Sequence, residues 1–307
     1  MVLNTTSWDK IFNGLVDDLF YQDLGDATAM YTKIFNVARM NKPQIKHLTG
    51  VGFDDWKPSG ESLVPDYTTN IQGMTKNYVP TVWKSAFNVT RELKDDVDYK
   101  EVADGARELA RTATRTLEKE GAKLLNNAAN TTYFTGKDGL ALASASHTRE
   151  DGGTVMSNTG TGVFNENNLE TALIRFMERL DGRGQLIDFT ADQLVVPPAL
   201  AKEAKILMDS TGRVATGNND VNPYKGELSV LVYPRLAASQ GGSDTAFFVM
   251  NSAYNKSGKG LNFFMRVNPE IQTEKDIETG VTKFVGYMRF AEGFTDFRGV
   301  EYSTGTA

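Results

Sequence analysis

Residues 44–94 constrain the fold most strongly, because they form a long extended excursion with no core of its own and lead at once into one very long helix. Four of the nine prolines, Pro43, Pro58, Pro65 and Pro80, lie in or just before it, with Gly50, Gly52, Gly60 and Gly73 among them. A loop of that length inside a compact domain is uncommon and usually functional. Its ordering must be offset by buried surface, which the segment does not carry. The expected supplier is another copy of the same chain.

Residues 50–58 and 64–67 are extended and punctuated by turn residues. The returning limb alternates, with Trp83, Phe87 and Val89 on one face and Lys84, Asn88 and Thr90 on the other. The pattern predicts a long two-stranded arm. Two strands alone are marginal in water, so Trp56, Tyr67 and Tyr78 are expected to land on a partner, with Lys57 and Glu61 as further assembly contacts. The alternative is a hairpin packed on its own domain.

The helix that follows is expected over residues 95–127. Val102, Ala106, Leu109, Ala113, Leu117, Leu124 and Ala128 recur at steps of three and four or their multiples. Asp95, Asp96 and Asp98 stand at its start, where the helix dipole favours carboxylates. At 1.5 Å per residue it would run roughly 50 Å. Its alanine-rich stripe suits a flat β-layer. Arg107, Arg111 and Arg115, interleaved with Glu108, Glu118 and Glu120, predict a solvated, salt-bridged face rather than a nucleic-acid ridge.

Before the excursion, Ser7 as N-cap with Trp8, Ile11, Phe12, Leu15 and Leu19 predicts a short amphipathic helix. Met30, Tyr31, Ile34 and Phe35 then form an apolar cluster, either an ordinary packing element or part of an arm that grips a neighbour. After the long helix, residues 133–162 are polar and Gly-rich, a loop with short strands. A helix with Asn165 as N-cap and Gly182 as its stop carries Leu169, Leu173, Phe176, Met177 and Leu180. Strands are expected at 193–196, 228–233, 246–250 and 261–267, a helix opened by Pro197 and Pro198 after the first, and long strand material over 281–300. Strands outnumber helices without regular alternation, which gives an α+β fold.

Composition closes off several functions. A net charge of −6 lacks the basic footprint of a protein that grips nucleic acid. The chain has no cysteine, hence no disulfide framework, thiolate metal site or thiol nucleophile. No secretory leader and no stretch of membrane-spanning length is seen, so the protein is expected in the cytoplasm or in something assembled there. The glycosylation-type triplets at Asn4, Asn88 and Asn130 are read as chance.

Catalytic patterns are absent. Residues 212–218 resemble the start of a phosphate loop, but Asn218 stands where the lysine belongs. There are two histidines, His47 and His147. His147 with Glu150 and Asp151 is the one cluster a metal could use, and the reading favoured for it is a solvated loop. The pairs Asp54 with Asp55 and Asp95 with Asp96 are adjacent and offer nothing to a paired-acid mechanism. No cofactor and no catalytic or metal residue is expected.

The order of parts, the stretch Leu142-Ala143-Ser144-Ala145-Ser146-His147 followed by Gly152-Gly153-Thr154 and Ser157-Asn158, and the closing Phe294-Thr295-Asp296-Phe297-Arg298-Gly299-Val300 resemble the major capsid proteins of tailed bacteriophages, of the Hong-Kong-type fold. The nearest likeness is to the Mu-type major head subunit family. The resemblance implies an N-terminal arm (1–45), an extended loop (46–84) lying over the neighbouring subunit, a peripheral domain (85–184 and 281–307) with its spine helix, and an axial domain (185–280). It implies hexamers and pentamers that close an icosahedral shell around double-stranded DNA held without sequence specificity.

The resemblance also implies a portal, in some cases a decoration protein, and, with no long N-terminal scaffolding extension here, either a separate scaffolding protein or prior removal of a segment. The resulting location is the virion, assembled in the host cytoplasm. Some relatives cross-link a loop lysine to a neighbour's asparagine; Lys57 and Lys76 lie in the corresponding loop and are treated as ordinary polar contacts. Three alternatives stand beside this reading: the shell of a non-viral nanocompartment of the same fold, a metal-dependent hydrolase built around His147, and a tail or other virion component that would form tubes or rings rather than closed shells.

Overall fold

The alanine-rich stripe of the long helix finds its flat layer in a four-stranded sheet. The computed structural model describes residues 5–26, 29–49, 51–58, 60, 61, 64, 67, 69, 71–92, 99–212 and 220–306. The spine helix, α2 (Tyr99–Asn126), is 28 residues long, about 42 Å. It buries Val102, Ala106, Leu109, Ala110, Leu117, Leu124 and Leu125. Close approach is built in at Gly121, where a Cβ would come within 2.9 Å of Tyr31 Cβ. The aspartates proposed for its start, Asp95, Asp96 and Asp98, lie outside the described residues.

The sheet under the helix has the order β1 (Asn36–Arg39), β9 (Leu261–Lys275), β10 (Thr282–Phe294), β4 (Thr81–Val89). Strand β1 runs parallel to β9; β9 with β10 and β10 with β4 are antiparallel. The alternation at 81–89 is real, since Phe87 stacks on Phe284 and Trp83 on Phe290. Its partner, however, is β10 and not the outgoing limb of the arm. The two-stranded arm is only β2 (Ile45–Leu48) against β3 (Thr75–Tyr78), and no described residue between 49 and 74 is in a strand. Residues 81–84 therefore stand in the sheet rather than in a loop running to 84, and β9 joins that sheet although it falls within the expected 185–280 segment.

A second sheet has the order β5 (Thr159–Gly160), β11 (Val300–Ser303), β8 (Phe247–Met250), β6 (Gln193–Val196), β7 (Ser229–Val232). Helices α3 (Glu166–Met177) and α4 (Ala201–Asp209) cover it through Leu169, Ala172, Ala204 and Leu207 packed on Leu194, Val196, Phe247 and Val249. Asn165 caps α3 as expected, its Oδ1 accepting from Asn168 N at 2.8 Å. The helix ends at Met177, earlier than the expected stop at Gly182, because Leu180 turns to bridge Leu186. A short helix, α5 (Ser252–Lys256), follows β8.

The N-terminal helix, α1 (Thr5–Asp26), is longer than expected and lies along α2, with Asp23 bound to Arg111 at 3.1 Å. Among its described side chains Val16 and Phe20 are buried, Leu19 is half-buried and Leu15 faces water, so over this stretch the buried face departs from the predicted one; the side chains of Trp8, Ile11 and Phe12 lie outside the described residues. The Met30–Phe35 cluster is a 3-10 turn buried on α2. Glu118, expected on the solvated face, is the buried acceptor that fixes this turn: it takes Met30 N, Tyr31 N at 3.3 Å and Tyr233 OH at 2.8 Å. Burial, and then the Glu118 charge, push the Tyr233 phenol above its ordinary range. Arg107 with Asp104 and Arg115 with Glu108 keep the salt-bridged character of the outer face.

Candidate functional site

Beyond Thr49, whose N donates to Met74 O at 3.1 Å, the loop leaves the body without a ladder. Four of its described apolar side chains are not covered by the chain that carries them: Trp56 is 100% exposed, Tyr67 87%, Phe53 77% and Val64 76%. Lys57 and Glu61 lie among them, also exposed. Covering an apolar side chain of this size stabilises by roughly 1.5–3 kcal/mol.

Tyr78 does not belong to that set. It is 2% exposed, packed edge-on against Phe264 at 4.9 Å, and its hydroxyl meets Thr295 Oγ1 at 2.8 Å. Burial raises its phenol to about 12. It anchors the root of the loop, and only Trp56, Lys57, Glu61 and Tyr67 of the five expected contacts remain on the surface. Lys76 also faces inward, its ammonium donating to Thr135 O and shifted down by burial. His47, on β2, sits between Tyr78 and Phe264, and burial lowers its ring below the ordinary histidine range.

The loop is rooted on a hub formed where the two motif stretches of the sequence meet. Between β10 and β11, Thr295 takes the Tyr78 contact, Asp296 binds Lys137 at 2.6 Å and Arg298 at 2.7 Å, Phe297 stacks on His147, and Arg298 reaches Glu150 at 3.0 Å. Lys137 also binds Glu150 at 2.5 Å. All four charged side chains are buried. Burial alone would push the Asp296 carboxyl up, but Arg298 and Lys137 outweigh it and hold the group down at about 2. Glu150 is held low by the same two cations against its own burial.

His147 is fully buried, and this overturns the solvated-loop reading. Its Nδ1 lies 2.6 Å from Asp138 Oδ2 and its Nε2 3.2 Å from Asn158 Oδ1. Asn158 in turn donates to Leu142 O and Val300 O, so the first motif is stitched to the last strand. Glu150 belongs to the ionic hub and Asp151 pairs with Arg149. The three residues are thus not gathered round one point, and no group of three His, Cys, Asp or Glu able to hold a metal occurs among the described residues. A buried, stacked imidazole with both nitrogens engaged presents nothing to a substrate from solvent. Residues 213–218 of the phosphate-loop-like stretch lie outside the described residues.

No helix among the described residues is long and apolar enough to cross a membrane. No curated protein matches the chain. Solved structures with a similar fold include the capsid of an empty GTA particle (12% identity, TM-score 0.56, 92% of this chain and 91% of that one) and the mature capsid of bacteriophage PhiM1 (12%, 0.56, 90% and 87%). Mycobacterium phage Adephagia provides another (16%, 0.53, 92% of each). At such identities the likeness is one of fold. The sequence itself matches the family described as phage capsid protein over residues 73–303, which spans the hub, the spine helix, the second sheet and every strand of the first sheet except β1. The chain therefore belongs to the phage capsid protein family and has the fold of a major capsid shell subunit.

Proposed function

We propose that the chain self-assembles as hexamers and pentamers into an icosahedral shell enclosing double-stranded DNA, with residues 51–74 laid over a neighbouring copy through Trp56, Lys57, Glu61 and Tyr67. The observation that carries this reading is the fully exposed indole of Trp56 on a loop whose root is held by a buried ionic hub. A rigid root with an apolar, uncovered tip suits a strap that reaches another molecule. In this reading the spine helix and its sheet form the peripheral domain and the β6–β8 region the axial domain. The acidic balance of the chain suits a lining that releases packed DNA. Portal, scaffolding and decoration proteins are the further partners, and the virion, built in the host cytoplasm, is the location.

Deletion of residues 54–68 tests the reading. The shortened chain should keep its thermal unfolding transition and form no shells in electron micrographs. Unchanged shell formation would remove the loop from this role. Enzyme cargo in place of DNA inside particles recovered from cells would mark a nanocompartment of the same fold.

A further inference from the structure

The turn after α3, Asp181-Gly182-Arg183-Gly184, is fixed by its own backbone. Asp181 Oδ1 accepts from Arg183 N at 2.8 Å and from Gln185 N at 2.9 Å, and Gly184 takes a positive φ of 83°. The turn is tied to the ionic hub through Arg298 Nε, which donates to Leu180 O at 3.0 Å. At Gly182 a Cβ would lie 2.6 Å from Glu150 Oε2 and 3.2 Å from Val51 Cγ1. The turn therefore sits between the hub and the root of the loop with no room to spare.

From this turn Arg183 reaches both limbs of the loop. Its Nε donates to Gly52 O at 2.5 Å, Nη1 to Asp54 Oδ1 at 3.0 Å, and Nη2 to Thr69 O at 2.6 Å. The side chain is 8% exposed. Gly52 and Asp54 lie on the outgoing limb and Thr69 on the returning one, past the last ladder bond at Thr49. A planar guanidinium with a rigid fork of donors can satisfy three acceptors on two limbs of the loop at once, which a lysine ammonium on a flexible stem does not reproduce. Beside the clamp lies a cavity of about 330 Å³, lined in part by His47, Thr49, Tyr254 and Lys259.

We propose that Arg183 is the positioning residue of the extended loop: by clamping Gly52, Asp54 and Thr69 to the hub-anchored turn it sets the direction in which the loop leaves the body. Its effect on assembly rests on the shell reading above; its effect on the loop does not.

Hydrogen exchange on the unassembled full chain, with an assembly titration alongside, tests the clamp in Arg183→Ala, Arg183→Lys and Asp54→Asn. Charge-assisted hydrogen bonds of this kind correspond to about a tenfold change or more. Exchange at 51–58 and 67–74 should rise about tenfold in Arg183→Ala, nearly as much in Arg183→Lys, and less in Asp54→Asn, with β6, β8 and β11 unaffected. The protein concentration needed for particles should rise in the same order. Unchanged loop exchange in both Arg183 variants overturns the proposal, and so does a rise spread equally over β6, β8 and β11, which would make Arg183 a structural residue of the body. If the unsubstituted chain makes no particles, the shell reading fails, and loop exchange alone decides the clamp.

Discussion

The His147 and Phe297 rings lie parallel, 3° apart in plane with centroids 3.5 Å apart, joining a Gly-rich loop to the segment that links the two sheets. The imidazole also holds Asp138 and Asn158 in place. His147→Ala removes the stack and leaves Asp138 Oδ2 without its buried partner, while Asn158 Oδ1 keeps the bond from Ser144 N at 2.9 Å. Each unsatisfied buried group costs about 1–3 kcal/mol, so denaturant unfolding should show a loss of roughly 3 kcal/mol. Assembly should survive at low temperature, because the ring's partners, Phe297, Asp138 and Asn158, lie outside the exposed loop.

Asp296 lies between Lys137 and Arg298, its side chain buried. Removing one member of a buried ionic cluster is destabilising by about 3–5 kcal/mol, and Asp296→Asn should approach that loss. The pH dependence has a definite sign. The folded carboxyl titrates near 2, below its ordinary 3.8, so its contribution is fully present above about pH 4 and disappears as the pH falls toward 2. Acid titration of stability should show this component in the parent and lack it in Asp296→Asn.

Glu292 behaves in the opposite way. Burial, and then the nearby Glu120 charge, raise its carboxyl to about 7 from 4.5. The folded protein therefore binds more protons than the unfolded chain between those values, and stability falls as the pH rises through that window. Glu292→Gln should raise the melting temperature at pH 8 and leave it almost unchanged at pH 4.5. Equal effects at both pH values would contradict the assignment.

Tyr78 and Trp56 should separate folding from assembly. Tyr78→Phe loses the hydroxyl contacts to Thr295 and Asn262 and should cost about 1 kcal/mol of stability while leaving particle formation intact. Trp56→Ala should leave the melting temperature unchanged and raise the concentration needed for particles, about tenfold or more for the apolar burial lost. Light scattering and calorimetry on the two variants check the pair.

The sequence makes the spine helix legible because a 3.6-residue period sustained over seven turns has few competing explanations. Asn165 and the strand at 193–196 are similarly local. What could not be read was partner choice. The alternation at Trp83, Phe87 and Val89 defines a face, yet β10, two hundred residues away, supplies the ring of Phe284 that a short outgoing limb could not. His147 and Glu118 look solvated because their sequence neighbours are polar, whereas their cover, Phe297 and Tyr233, comes from distant segments. The signal that could have placed the hub was the density of charged residues set between aromatics at 294–298. Nothing in the sequence singled out Arg183, whose role depends on three contacts made across the fold.

Sedimentation velocity of the purified full chain, across protein concentration, addresses the central claim most directly. The exposed loop surface predicts that rings or closed shells far heavier than 33.8 kDa appear as concentration rises. A single 33.8 kDa species at every concentration and salt tested would contradict it.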